Sequence, residues 1–181
     1  MLVHLRRAVV VSVVFFLVCG LAYPALETGL AQLFFPKQAN GSLVSDHHLV
    51  IGSSLAGQQW KGPEWFQGRP DPDNPMATGS QNYGPKSKLL LHFAQQQVAV
   101  LKGEGITPTN DLVTGSGSGI DPDISPSDAY DQVPAVAKAD HLSVAVLDHL
   151  VTLHVVGAEW GFLGAPYIDV LELNEALAAL R

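Results

Sequence analysis

The chain has 181 residues, with 10 Lys and Arg against 17 Asp and Glu, a formal charge of −7 and a single cysteine. That balance excludes nucleic acid and anionic lipid surfaces as natural partners, because both repel an acidic protein. One cysteine excludes a disulfide framework.

The first element is the run from Ala8 to Leu26, 19 residues without a charge. At about 1.5 Å per residue it spans about 28 Å as a helix, close to the thickness of a bilayer's hydrocarbon core. Tyr23 fits the aromatic position at the membrane interface, and Pro24 is expected to end or kink the helix. Arg6 and Arg7 precede the run and Glu27 follows it. By the positive-inside rule residues 1–7 are cytoplasmic and residues 27–181 lie outside. A cleaved signal peptide fits less well, since the run is long and Ala22-Tyr23-Pro24 lacks the second small residue of a cleavage site. A lipoprotein attachment at Cys19 is opposed by the bulky Val18 before it. The part after Leu26 carries all 17 acidic residues and 8 of the 10 basic ones, a formal charge of −9. It is long enough for one core and too short for two ordinary domains.

Glu27 to Phe35 reads as an amphipathic continuation of the helix, stopped by Pro36. Gln38 to Ser42 reads as a turn, and Leu43 to Ile51 as a short strand or hairpin ending at Gly52, with His47 and His48 on opposite faces. Leu55 to Pro75 holds Trp60, Trp65, Phe66, Gly68-Arg69-Pro70 and the run Asp71-Pro72-Asp73-Asn74-Pro75. Proline removes backbone donors, so this stretch is expected to be an ordered aromatic loop packed on something. Met76 to Pro85 is rich in turn residues. Ser87 caps a helix over Lys88 to Lys102, ended by Gly103 and Gly105. Ser125, Pro126 and Asp128 start a helix that Pro134 restarts or kinks. Ser143 caps another over Val144 to Val156, with Leu142 stapled to Leu147. Tyr167 to Val170 reads as a strand. Asp169-x-x-Glu172 caps a last helix with Leu173, Leu177 and Leu180 as its apolar stripe. The fold class is therefore α+β: one transmembrane helix followed by a single mixed α/β extracytoplasmic domain.

Chemistry-bearing motifs are few. Gly115 to Asp121 lacks the Lys of a P-loop, and the middle residue of Gly115-Ser116-Gly117-Ser118-Gly119 is a glycine, not a nucleophile. The loop reads as a tight turn packed against its neighbours, with a protein contact as the alternative. Asp121, Asp123, Asp128 and Asp131 lack the spacing of a calcium loop. His149 and His154 are five apart, whereas a zinc pair on one helix face needs four. No metal ligand set and no nucleophile, base and orienter set is expected. Asn40-Gly41-Ser42 matches a glycosylation sequon and reads as a turn.

Several segments in one order carry a resemblance. They are Tyr23-Pro24, Thr28-Gly29-Leu30-Ala31-Gln32-Leu33, Phe35-Pro36 and Gln38-Ala39-Asn40-Gly41-Ser42. Gly52-Ser53, Gly57-Gln58, Phe66, Gly68-Arg69-Pro70, Asn82 with Gly84-Pro85, and Asp111-Leu112-Val113-Thr114 follow. Ser116 to Pro126, Gln132-Val133-Pro134, Val136-Ala137-Lys138, Leu163-Gly164-x-Pro166 and Val170-Leu171-x-Leu173-Asn174-x-Ala176-Leu177 complete the set. Together they resemble the C subunit of bacterial high-affinity potassium-transporting ATPases, the KdpC family. The loop before Met76 is short for that family, and Gln81, Asp140 and Asp169 depart from its usual residues.

The resemblance implies a single-span, non-catalytic subunit in a bacterial cell membrane. Its implied partners are a potassium-channel-like subunit, a P-type ATPase subunit, a small peptide subunit and membrane lipid. It also implies a chaperone role that raises the ATP affinity of the pump subunit. No cofactor is expected to be held by this chain itself. Two readings of the ATP effect stand. In one, the chain acts through the membrane helices, with Gly20 and Ala22 allowing close helix approach. In the other it binds ATP directly in a ternary complex with the pump subunit, with Ser116, Gly117, Gly119 and Asp121 beside the nucleotide. The charge rule puts the domain on the far side from cytoplasmic ATP and favours the first. A freely secreted enzyme is the third reading, and it requires cleavage after the anchor.

Overall fold

The computed structural model describes residues 2–46, 48–70, 78–79 and 82–181. His47, the run 71–75, most of the turn-rich stretch 76–81 and Gln81 lie outside the described residues. The chain divides into two compact units, Met1–Leu43 and Val44–Arg181.

The first unit is dominated by one continuous helix, Leu2–Phe34, none of whose most apolar stretch is buried. It consists of α1 (Leu2–Phe15), a π-helical segment (Phe16–Ala22) and α2 (Tyr23–Phe34). It is thus longer than the uncharged run on both sides. Pro24 does not end it. Proline cannot donate to the carbonyl one turn back, and the wider turns ahead of it absorb that loss, with Tyr23 N–H bonding Val18 C=O. Pro36 likewise does not simply stop the chain from coiling. It opens a single further turn, α3 (Pro36–Ala39), so the expected turn over Gln38 to Ser42 is confined to Asn40-Gly41-Ser42. Asn40 Nδ2 donates to Pro36 C=O at 2.6 Å, and Gly41 takes φ +86°. Paired amides of Gln32 and Asn40 hold the end of α2 against this turn at 3.2 Å.

β1 (Leu43–Asp46) and β2 (Leu49–Ser53) form the expected hairpin. His48 sits in its turn at φ +68°, not on a strand face.

The second unit is built on four helices: α4 (Lys88–Glu104), α6 (Pro126–Asp140), α7 (Val144–His154) and α8 (Val170–Ala178). Each begins on a side-chain cap. Ser87, Ser125 and Ser143 each accept the N–H three residues on, and Asp169 Oδ1 accepts those of Leu171 and Glu172 at 2.8 and 3.1 Å. Such caps satisfy N–H groups that have no partner within the helix. Helix ends differ from expectation by a few residues. α4 runs through Gly103 to Glu104, because Gly105 at φ +78° is the residue that adopts the left-handed cap. α7 stops at His154, and Val156 leaves to bridge Tyr167. Pro134 falls inside an unbroken α6. Leu180, 45 % exposed, lies past the end of α8 and is not part of its buried stripe.

The short helix α5 (Asn110–Val113) and the two-residue strand β3 (Asp123–Ile124) were not expected from the sequence, whereas its partner β4 (Ile168–Asp169) falls within an expected strand. β3 and β4 pair antiparallel, Asp123 opposite Asp169 and Ile124 opposite Ile168. β4 covers only the centre of the predicted Tyr167 to Val170 strand, since Val170 already begins α8.

The core gathers Leu101 and Ile106, Leu112, Ile124, Val133 and Val136, Leu147 and Val151, Ile168, and Leu173 and Leu177. α6 packs on α7, and α7 on α8. At its centre is Phe66, with no exposed surface, delivered by the aromatic loop and not by a helix or strand. Burying such a side chain contributes about 1.5–3 kcal/mol, which is why an irregular loop stays in place.

Candidate functional site

The loop 57–70 is the part of the domain that brings distant segments together. Two buried side-chain amides hold it. Gln132 of α6 accepts the N–H of Gln67 at 2.7 Å and donates to its C=O at 3.0 Å. Asn174 of α8 does the same for Phe66, at 2.9 and 2.8 Å. Each amide satisfies both backbone groups of one residue, as a neighbouring strand would. Gln67 extends the connection by donating its own Nε2 to Glu104 at the end of α4. Beside this run the Trp60 and Trp65 rings pack at a tilt of 40° with centroids 4.8 Å apart, and the Arg181 guanidinium lies 3.9 Å from the centre of the Trp65 ring. Arg181 also pairs with Asp140 at 2.8 Å and donates to Glu64 C=O. Asp140 thus ties the residues after α8 to the end of α6.

Arg69 is the hub. Its Nη2 donates to Asp111 Oδ1 at 2.7 Å, and its Nε faces Asp121 Oδ2 at 3.3 Å, an ion-pair contact too far off line to be a hydrogen bond. One guanidinium thus ties the aromatic loop to α5 and to the glycine-rich loop. Asp111 also shares a hydrogen bond with the buried Asp128 of α6. Burial and then that bond raise the Asp111 pKa, while Arg69 acts in the opposite sense. Asp123 is pushed up to about 6, first by burial and then by Asp121, Asp169 and Glu172. Asp169 is raised as well, chiefly by burial, against the lowering effect of the two N–H groups that it caps.

The glycine-rich loop is tied down from both sides. Ser116 Oγ accepts Gly119 N–H at 2.9 Å, Ser118 Oγ accepts Ile120 N–H at 3.2 Å, and Asp121 Oδ1 accepts Asp123 N–H at 3.2 Å. Gly57 N–H bonds Ile120 C=O at 2.7 Å, and Gly79 N–H bonds Ser118 C=O at 2.7 Å. A Cβ on Gly57 would stand 2.5 Å from Asp121 C=O, so only glycine allows this approach. Of the predicted residues, Ser116, Gly119 and Asp121 come together with Arg69 around a pocket of about 20 Å³, which is too small for a nucleotide. Gly117 is exposed and does not line that pocket; with Ser116 it borders a second depression of about 270 Å³ beside Tyr83 and Leu90.

A larger cleft, about 350 Å³, shares Gln58, Gln59 and Arg69 with the small pocket and is lined also by Trp60, Lys61, Gln97 and Glu104. Among the described residues no group of three or more His, Cys, Asp or Glu is placed to hold a metal. His154 Nδ1 is engaged with Leu150 C=O at 2.8 Å. Ser116 has a glycine N–H and Ser118 as partners, not a base. The arrangement is a cross-braced loop held by Gln132, Asn174 and Arg69. Sequence reasoning did not single out Arg69, Gln132 or Asn174 as structural keys. A lone arginine in an aromatic, proline-rich loop of an acidic domain was the available signal for the first.

A family model described as "KdpC: K+-transporting ATPase, c chain" matches residues 5–179. Similar curated proteins include potassium-transporting ATPase KdpC subunits of three bacteria. That of Gemmatimonas aurantiaca is 44 % identical over 188 residues, covering 99 % of this chain and 94 % of the relative. That of Methylococcus capsulatus is 42 % identical over 190 residues and the full length of both. That of Geobacter sulfurreducens is 41 % identical over 185 residues and 98 % of each. With one apolar helix followed by a compact acidic domain, and a match along nearly its whole length, this chain belongs to the KdpC family, the c chain of K+-transporting ATPases.

Proposed function

We propose that this chain is a non-catalytic accessory subunit of an ATP-driven potassium import complex in a bacterial cell membrane. Its anchor packs on the helices of a channel-like subunit, a P-type ATPase subunit and a small peptide subunit, and its domain lies on the extracytoplasmic side. There it stabilises the assembly. It raises the ATP affinity of the pump subunit through the membrane helices and not by holding the nucleotide. The observation that carries this reading is the asymmetry of the long apolar helix: Arg6 and Arg7 at one end, Glu27 and a domain with a formal charge of −9 at the other. The braced glycine-rich loop, with its small pocket and surrounding carboxylates, supports a structural and not a phosphate-binding role for Ser116 to Asp121.

Protease accessibility tests it. Trypsin added to intact spheroplasts is expected to degrade the domain, and added to inverted vesicles to leave it whole. The reverse pattern places the domain beside the nucleotide pool and overturns the proposal. In the purified complex, removal of this chain is expected to raise the KM for ATP without abolishing hydrolysis.

A further inference from the structure

One surface of the domain is costly as it stands. Between α7 and β4 the chain forms a closed projection, residues 155–167. Val156 and Tyr167 exchange two backbone hydrogen bonds at 2.9 and 3.0 Å, and Glu159 and Leu163 exchange two more at 2.9 Å. At the tip Trp160 is 84 % exposed and Phe162 77 % exposed, their rings 6.5 Å apart. Leu163, Tyr167 and, at the base, Leu153 are exposed too. Trp160 also adopts φ +51°, a left-handed conformation that glycine or asparagine tolerates far better than a bulky aromatic residue. The tip therefore sets its largest apolar side chain in water on a strained backbone, and nothing within the described domain offsets either. Strain and apolar exposure at one point, on a hydrogen-bonded frame, mark a pre-shaped contact.

Charge decides between occupants. The projection holds one charged residue, Glu159, and no Lys or Arg, on a domain with a formal charge of −9. An anionic bilayer repels that combination, whereas an apolar pocket with a neutral or basic rim accepts it. Exposed Trp and Phe are the residue types that dominate binding when seated in such pockets. We propose that the 155–167 projection is the plug by which this domain docks into an apolar pocket on another subunit of the ATPase. This rests on the reading of the chain as an assembled subunit, and it adds where on the domain the contact is made.

The test uses the complete complex in detergent. The full chain and its Trp160→Ser/Phe162→Ser double variant are each co-expressed with the other subunits, and the pump subunit is purified by an affinity tag. The double variant is expected to be recovered with the pump about tenfold less than wild type or lower. Its thermal melt, measured on the chain alone, is expected not to fall, because both side chains are exposed. In a second arm Phe162→p-benzoylphenylalanine is photolysed in the complex, and a covalent adduct with a named subunit is expected by mass. Equal recovery of wild type and double variant, or adducts with lipid only, overturns the plug while leaving the assembly reading intact. A wild-type chain that fails to co-purify overturns both.

Discussion

Gln132 and Asn174 show how much a single side chain can decide. A loop that holds Pro63 and Pro70 and has no strand partner still has backbone groups that must be satisfied once buried. Each amide presents one donor and one acceptor in the plane that a peptide offers, and so substitutes for a missing strand. Gln132→Leu keeps the volume but leaves both Gln67 backbone groups without partners. It is expected to cost about 2–4 kcal/mol, read as a lower urea midpoint of the purified chain. A change below about 0.5 kcal/mol would mean that the loop finds other partners. Neither residue was legible as a brace beforehand. A glutamine in a helix looks like surface until the segment it meets, 65 residues away, is known. The caps were legible, because Ser87, Ser125, Ser143 and Asp169 act on N–H groups two or three residues on, inside the window that a sequence displays.

At the scale of elements, the β3–β4 pair sets Asp123 directly opposite Asp169, an arrangement that like charges disfavour. Folding raises the Asp123 carboxyl from its ordinary 3.8 to about 6. Between these values the unfolded chain has released the proton and the folded chain retains it. Stability from this group therefore falls as pH rises from about 4 to about 6, and the loss is complete above that. Asp169 and Asp111 shift in the same direction and reinforce the trend. Asp123→Asn is expected to raise Tm at pH 7, to flatten the pH dependence across that window, and to make little difference below pH 4. Parallel melting curves for the variant and the parent across the window would contradict it. β4 was legible as the centre of the Tyr167 to Val170 run, whereas β3 was hidden in the sequence because two residues are too few to display a period. The same holds for the Arg69 hub, whose partners lie 42 and 52 positions further along the chain.

For the molecule as a whole, the division at Leu43 and Val44 separates an element made for lipid from one that carries its own core. A chain reduced to Val44–Arg181 and expressed without the other subunits is expected to leave the membrane fraction and melt in one cooperative transition. Sedimentation with membranes would show that the domain holds lipid by itself. The long helix was the most legible feature of all, since an uncharged run needs no partner to be recognised. Its internal irregularity was not. Between Phe16 and Ala22 the coil widens before Pro24. An extra residue in a turn rotates everything beyond it by roughly 100° about the axis. The side chains of α1 and those of α2 therefore do not continue one another's stripe. A neighbouring helix that runs alongside the first half meets a different azimuth in the second, so this one span is suited to touching two different companions at two depths of the bilayer.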